Sequence, residues 1–140
     1  MNANELALIG GAVFIILLVL GFVFRARRKK LNPSKFKNKW QDLQKFLASK
    51  ETWPLAIITA DKLLDEALKK KRLKGKSMGE RMVSAQKLFT DNDGVWYAHN
   101  LAKKLMDETA IRLKQADVKK SLMGTRQALR DIGALRDQDH

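Results

Sequence analysis

His99 is the residue best equipped for chemistry, since the only other histidine, His140, is the last residue of the sequence. An imidazole moves a proton near neutral pH, so His99 could act as a base or contact a nucleotide. Either role wants partners, and no second histidine, cysteine or carboxylate stands at ligand spacing from it. The favoured reading is a helix histidine whose ring bonds a neighbouring helix. Asp61, Asp65 and Glu66 form the other chemically suggestive group, with Asp61 and Asp65 on one helix face at i,i+4. A dinuclear metal site would need an E-x-x-H partner on another helix, and none is present. Lys62, Lys69 and Lys70 lie on adjacent turns, so a solvated salt-bridge face is expected instead. No catalytic residue, metal ligand or cofactor is assigned.

The strongest contact candidate is basic. Residues 69–76 read KKKRLKGK, which places Lys69, Lys70, Lys71, Arg72, Lys74 and Lys76 within eight positions. Anionic lipid, RNA or an acidic protein could meet such a segment, and a merely soluble turn is the alternative. No aromatic residue interleaves the charges, which weakens a single-stranded nucleic-acid reading because that mode needs stacking platforms. Lipid therefore leads. Trp40, Trp53, Trp96 and Phe89 sit at helical spacing with other apolar residues and are expected to pack in a core.

Apolar spacing is helical nearly throughout, and no window alternates as a half-buried strand does. The chain is expected to be all-α: an N-terminal transmembrane helix followed by a compact bundle of about five helices. The first bundle helix is predicted over Pro33 to Ser49, with Phe36, Trp40, Leu43, Phe46 and Leu47 on one face. Thr52 is the expected N-cap of a second helix running towards Lys71. Its inward positions are Leu55, Ile58, Leu64 and Leu68, with Ile57, Leu63 and Ala67 widening the stripe. Gly75 offers the stop. Ser77 and Glu80 have capping-box spacing, opening a short helix from about Met78 to Phe89 that buries Met82, Ala85, Leu88 and Phe89. The turn-rich Thr90-Asp91-Asn92-Asp93-Gly94 places a fourth helix near Val95, with Val95, Ala98, Ala102, Leu105 and Met106 inward. A last helix covers about Ala116 to Leu135, presenting Val118, Leu122, Leu129 and Ile132, with Gly124 a weak spot.

Three segments carry a resemblance. WPLAIITADKLLDEALKKKRLKGKSMGERM from Trp53, VWYAHNL from Val95 and QALRDIGAL from Gln127 resemble a group of small bacterial helical domains reading WPLAII.ADKLLDEAL, GE.L, AH.LRN....HE and ALRD.G.L. These are similar to the HEPN class, the higher-eukaryote and prokaryote nucleotide-binding bundles, over roughly Lys35 to Leu135. In active HEPN proteins the signature R-x-x-x-x-H implies a metal-independent ribonuclease, with Arg and His acting on the RNA backbone. Arginine there would stabilise the developing phosphorane charge and histidine would move the proton. Aligned through Ala98-His99-Asn100-Leu101, Ala102 holds the Arg position and Asp107 the His position, with Glu108 following. An alanine holds no phosphate, and an aspartate does not replace imidazole as an acid at pH 7. The resemblance thus implies a degenerate bundle without the ribonuclease.

What positions all of this is the N-terminal run. Leu6 to Phe24 are nineteen positions without a charge, followed at once by Arg25, Arg27, Arg28, Lys29 and Lys30. A helix of that length reaches roughly 28 Å, close to the ~30 Å hydrocarbon thickness. The acidic, Lys/Arg-free start, the length of the run and the absence of a small-x-small cleavage site favour an uncleaved anchor over a signal peptide. Lys and Arg fall only after the run, so the positive-inside rule places the N-terminus outside and the C-terminal domain in the cytoplasm, on a cell membrane crossed once. The divisions are a tail over 1–5, the span over 6–24, a basic linker over 25–32, the bundle over 33–136 and a tail over 137–140. Ala3, Ala7 and Gly11 form a small-x-x-x-small track that could bring two anchors together as a homodimer.

The chain carries a formal +13 at pH 7 and no cysteine, which excludes disulfides and thiolate chemistry. Beyond residue 30 stand 23 basic and 14 acidic side chains, so the domain alone holds +9. Such a field suits anionic partners, and lipid head groups are the nearest. Two functions follow. One is a non-enzymatic, membrane-anchored interaction module docking a protein partner or anionic head groups; the other, second choice, is an RNA- or nucleotide-binding HEPN-like protein with lost or residual nuclease activity.

Overall fold

The apolar run and the three arginines after it belong to one unbroken helix. A computed structural model describes residues 2–28, 30–108 and 110–138, and in it α1 runs Ala3–Arg28. Leu8, Phe14 and Phe22 all stand exposed on it, so no face is reserved for water, as a surface helix of a soluble fold would require. Ala3–Val23, 21 residues with a mean hydropathy of 3.0, is long and apolar enough to cross a membrane. The helix begins two residues before Glu5 and carries on through Arg25, Arg27 and Arg28, where a short tail and a linker were expected. Lys30 is exposed beyond it, while Lys29 and His140 lie outside the described residues.

The chain divides into two compact units, Met1–Lys30 and Leu31–His140. The second is a bundle of five α-helices, with no strand among the described residues. Helix α2 spans Pro33–Gln44, with Pro33 in its first turn, where a missing N–H costs nothing, and Asn32 accepting from the Lys35 N–H. Phe36, Trp40 and Leu43 are its buried face. The helix ends five residues earlier than its apolar spacing suggested. Lys45–Ala48 tightens into a 3₁₀ turn, a second follows over Lys50–Thr52, and Leu47 is left exposed. Thr52 is no acceptor cap. Its hydroxyl instead donates back to the carbonyls of Phe46 and Ser49, closing the corner before α3.

Helix α3, Trp53–Lys70, is the central helix and packs against α2, α5 and α6. It buries Ala56, Ile57, Ala60, Asp61, Leu63, Leu64, Ala67 and Leu68. The expected inward Leu55 is instead 47% exposed. Helix α3 ends at Lys70 with Lys71 as its cap, as its spacing suggested, and the left-handed residue that closes it is Arg72, not Gly75. Arg72 adopts φ 65°, and the Leu73 and Arg72 N–H groups bond back to the carbonyls of Leu68 and Lys69 in a Schellman arrangement.

Helix α4 is shorter than expected, Met78–Ser84. Ser77 accepts from the Glu80 N–H, but the Glu80 carboxylate reaches one residue further back, to the Lys76 N–H at 2.6 Å. The chain then turns, leaving Leu88 exposed while Phe89 is buried. Helix α5, Asn92–Asp107, starts three residues before Val95 because the Asp91 carboxylate caps the Gly94 N–H at 2.9 Å. Met106, expected inward, is 50% exposed in its last turn. Helix α6, Gln115–Asp131, ends in a second Schellman arrangement through Gly133, φ 83°, which folds Ala134 and Leu135 into the core.

Candidate functional site

The two ends of α3 differ in kind. At its C-terminal end, α2 and α3 lie side by side: Glu66 accepts from Lys39 at 2.8 Å and pairs with Lys35 at 3.5 Å and Lys70 at 3.0 Å. Lys70 also stands 5.5 Å from the Phe36 ring centre. These contacts bring the first turns of α2, where the chain enters the bundle at Leu31, beside the start of the basic segment. The Lys39 hydrogen bond, ahead of those from Lys70 and their charges, holds the Glu66 carboxyl down to about 2. Asp65 pairs with Lys69 at 3.4 Å and receives a two-pronged hydrogen bond from the buried Arg81, at 2.7 and 3.0 Å. Arg81 also donates to the Gly75 carbonyl at 3.0 Å, and Ser84 to that of Lys74. The loop is therefore fixed by its backbone.

Of the six cations read as a contact surface, Lys69 and Lys70 are spent on acids within α3. Arg72, Lys74 and Lys76 are exposed and Lys71 half-buried, and among the described residues no carboxylate pairs with any of them. A rigid loop with four cations available is a better anion surface than a floppy one, because little ordering entropy remains to be lost on binding.

His99 meets Asp61 across the interface of α5 and α3, Nδ1 lying 3.0 and 3.2 Å from the two carboxylate oxygens. Both residues are buried, and the Trp96 ring stands edge-on to the imidazole at 6.0 Å. Burial pushes the Asp61 carboxyl above its ordinary value, against the hydrogen bond and charge of His99, which pull it down. So His99 does bond a neighbouring helix. Its partner, however, comes from the group expected to be a solvated face; Glu66 keeps that role, whereas Asp65 is largely covered by the buried Arg81 and Asp61 is buried outright. Asp61 points inward because it follows Ala60 and precedes Leu63 and Leu64 on the buried stripe. Ala102 is wholly buried in the core, and Asp107 is exposed in the last turn of α5. No group of three or more His, Cys, Asp or Glu among the described residues could hold a metal.

At the N-terminal end of α3 lies a surface that sequence reasoning missed. Trp40, Leu47, Trp53, Val118, Leu122 and Met123 line a groove of about 500 Å³ between α2 and α6. Met123 is 52% and Leu47 37% exposed. Lys119 and Arg126 sit in its lining, and none of its lining residues is acidic. The signal was present in Met123, a large apolar residue outside the stripe its helix needs; Leu47 was expected on the buried face of α2, and only the fold shows that it is left exposed in a 3₁₀ turn and meets Met123. Trp40 and Phe89 are buried, as expected of core residues.

No protein family, curated protein or solved structure matches the chain.

Proposed function

We propose that the chain is a single-pass membrane protein whose helical bundle, on the cytoplasmic side, serves as a non-enzymatic interaction module. Its basic end rests on anionic lipid head groups, and the rest of its surface is free for a protein partner. The observation that carries this reading is the placement of Lys71, Arg72, Lys74 and Lys76 at the end of the bundle where the chain arrives from α1, unpaired by the acids around them. Cations near an anionic leaflet contribute ~1 kcal/mol each. The orientation rests on the basic residues that follow the apolar run. We further take the bundle as a degenerate HEPN-like one, on its three matching segments. The lack of any functional group at Ala102 supports a role other than catalysis.

Purified Leu31–His140, which holds its own core, tests this against vesicles and labelled RNA at two salt concentrations. Binding to phosphatidylglycerol vesicles, weakened by salt and by Lys71→Gln, Arg72→Gln, Lys74→Gln and Lys76→Gln together, is expected. Tight, selective binding or cleavage of RNA with vesicles ignored would overturn the reading.

A further inference from the structure

The groove at the N-terminal end of α3 has a length, a charge and a location, and together they narrow its occupant. Its lining follows α6 from Gln115 to Arg126, eleven steps of ~1.5 Å, or about 16 Å. That is three turns of a second helix laid alongside and longer than a compact ligand needs. Lys119 and Arg126 are seven residues apart on α6, so they project from the same side, about 10 Å from one another along the axis. Lys50 adds a third cation, 5.9 Å from the Trp53 ring centre. An apolar floor with cations along its edge and no acid in its lining fits a helix with the opposite pattern.

Location separates a protein from a lipid, and here the argument rests on the membrane reading proposed above. Trp53 opens α3 and Lys71 caps it, about 27 Å apart at 1.5 Å per residue. A bundle resting on head groups through Lys71 to Lys76 holds the groove at the other end of that helix. The head-group layer of one leaflet is only about 5–8 Å deep, so acyl chains of the same leaflet lie out of reach.

We propose that this groove docks an acidic amphipathic helix from a protein partner. Leucine-type side chains at i, i+3 or i+4 and i+7 enter between Trp40, Trp53, Leu122 and Met123. Carboxylates seven residues apart on the partner's edge meet Lys119 and Arg126.

The test uses the full chain in phosphatidylcholine nanodiscs. The probe is a labelled, stapled helix with leucines on one face and glutamates seven residues apart on its edge; its twin carries lysines instead. Anisotropy is expected to show the glutamate helix binding at least tenfold more tightly than its twin. Lys119→Glu with Arg126→Glu should reverse that preference, and Met123→Glu should weaken the glutamate helix about tenfold or more. All three residues are at least partly exposed, and unchanged far-UV circular dichroism confirms folding of the variants. Equal binding of the twins, or a preference that the charge reversal leaves intact, overturns the proposal. So does a loss of phosphatidylglycerol vesicle binding in Met123→Glu, which would make the occupant lipid. Neutralising Lys71, Arg72, Lys74 and Lys76 should leave peptide binding unchanged. Failure of the membrane reading therefore shows as absent vesicle binding by the wild-type bundle, whereas failure of the groove shows in the peptide arm or as a vesicle loss caused by Met123→Glu.

Discussion

Gly124 on α6 lies against the backbone of Gly94 on α5: a Cβ on Gly124 would fall 2.5 Å from the Gly94 carbonyl carbon and 3.1 Å from its Cα. The obstacle is main chain, held in place by the Asp91 cap on the Gly94 N–H and by Thr90 donating to Asp131. No rotamer change relieves it. Gly124→Ala should therefore cost about 2 kcal/mol, the overpacking penalty exceeding the ~1 kcal/mol that alanine gains in a helix. Thermal unfolding followed by tryptophan fluorescence should show a fall of roughly 8 °C. Gly79→Ala is the control, because its Cβ would meet only Trp96 and Ser77 at ordinary distances of 3.8 and 3.9 Å. That variant should be neutral or slightly stabilised, and a loss equal to that of Gly124→Ala would refute the close-approach argument.

Arg72 occupies the left-handed position that ends α3, where a Cβ costs roughly 1 kcal/mol that glycine avoids. Arg72→Gly should raise the unfolding free energy by about 0.5–1 kcal/mol, after allowing for the looser unfolded chain. The same substitution removes one of the four available cations and should weaken binding to phosphatidylglycerol vesicles. Urea unfolding and vesicle sedimentation on one variant are thus expected to move in opposite directions.

Helix type and order were legible in the sequence because amphipathic spacing and cap residues are local signals. Pro33, the Ser77 hydroxyl and the turn before Val95 each place a helix start to within a few residues. The stops were harder to read. Gly75 looked like the end of α3, yet the Schellman closure at Arg72 depends on Leu73 reaching the core, a tertiary reward that outweighs glycine's local preference. Gly124 read as a weak spot for the same reason, since the helix that makes it necessary is thirty residues away in the chain. The site divides similarly. The run of cations was visible, but which of them Asp65 and Glu66 would occupy was not, and the pairing of Asp61 with His99 required two helices to meet.

That pair makes a pH-dependent prediction. His99→Ala leaves the Asp61 carboxylate buried without its partner, at an expected cost of about 3 kcal/mol near pH 7. The folded-state pKa of Asp61 is already raised by burial, and removing His99 removes the hydrogen bond and charge that chiefly hold it down, leaving only the charge of Lys103. A raised folded value means the folded chain keeps its proton where the unfolded chain has lost it. Protonation therefore favours folding below the unfolded carboxylate range of about 4, and the advantage fades as pH rises through the folded value. The deficit of His99→Ala should shrink as pH falls from neutral towards 4. Adding Asp61→Asn should restore part of the loss at pH 7. A deficit that stays constant with pH would mean that removing His99 leaves the folded-state pKa of Asp61 where it was, and would refute the coupling of the pair.

Glu66 carries the opposite sign. Its carboxyl is held down to about 2, first by the Lys39 hydrogen bond, so its contribution is complete above the unfolded value near 4.5 and is lost as pH falls towards 2. Its side chain is 31% exposed, and water and salt screen the pairs with Lys35, Lys39 and Lys70. The full linkage value is accordingly discounted to about 1 kcal/mol. Glu66→Gln should lower the unfolding free energy by that amount at pH 6, by less in high salt, and by little near pH 2, where the wild-type carboxyl is half protonated. Urea unfolding at pH 6, 4 and 2.5 measures the convergence. A carbon-detected titration of Glu66 with its midpoint near the ordinary glutamate value, or parallel stability curves, would show that the lysine cluster leaves the carboxylate unperturbed. In that case apolar packing, Phe36 and Leu68 being among the buried core residues, would hold the end of the bundle where the chain enters without help from Glu66.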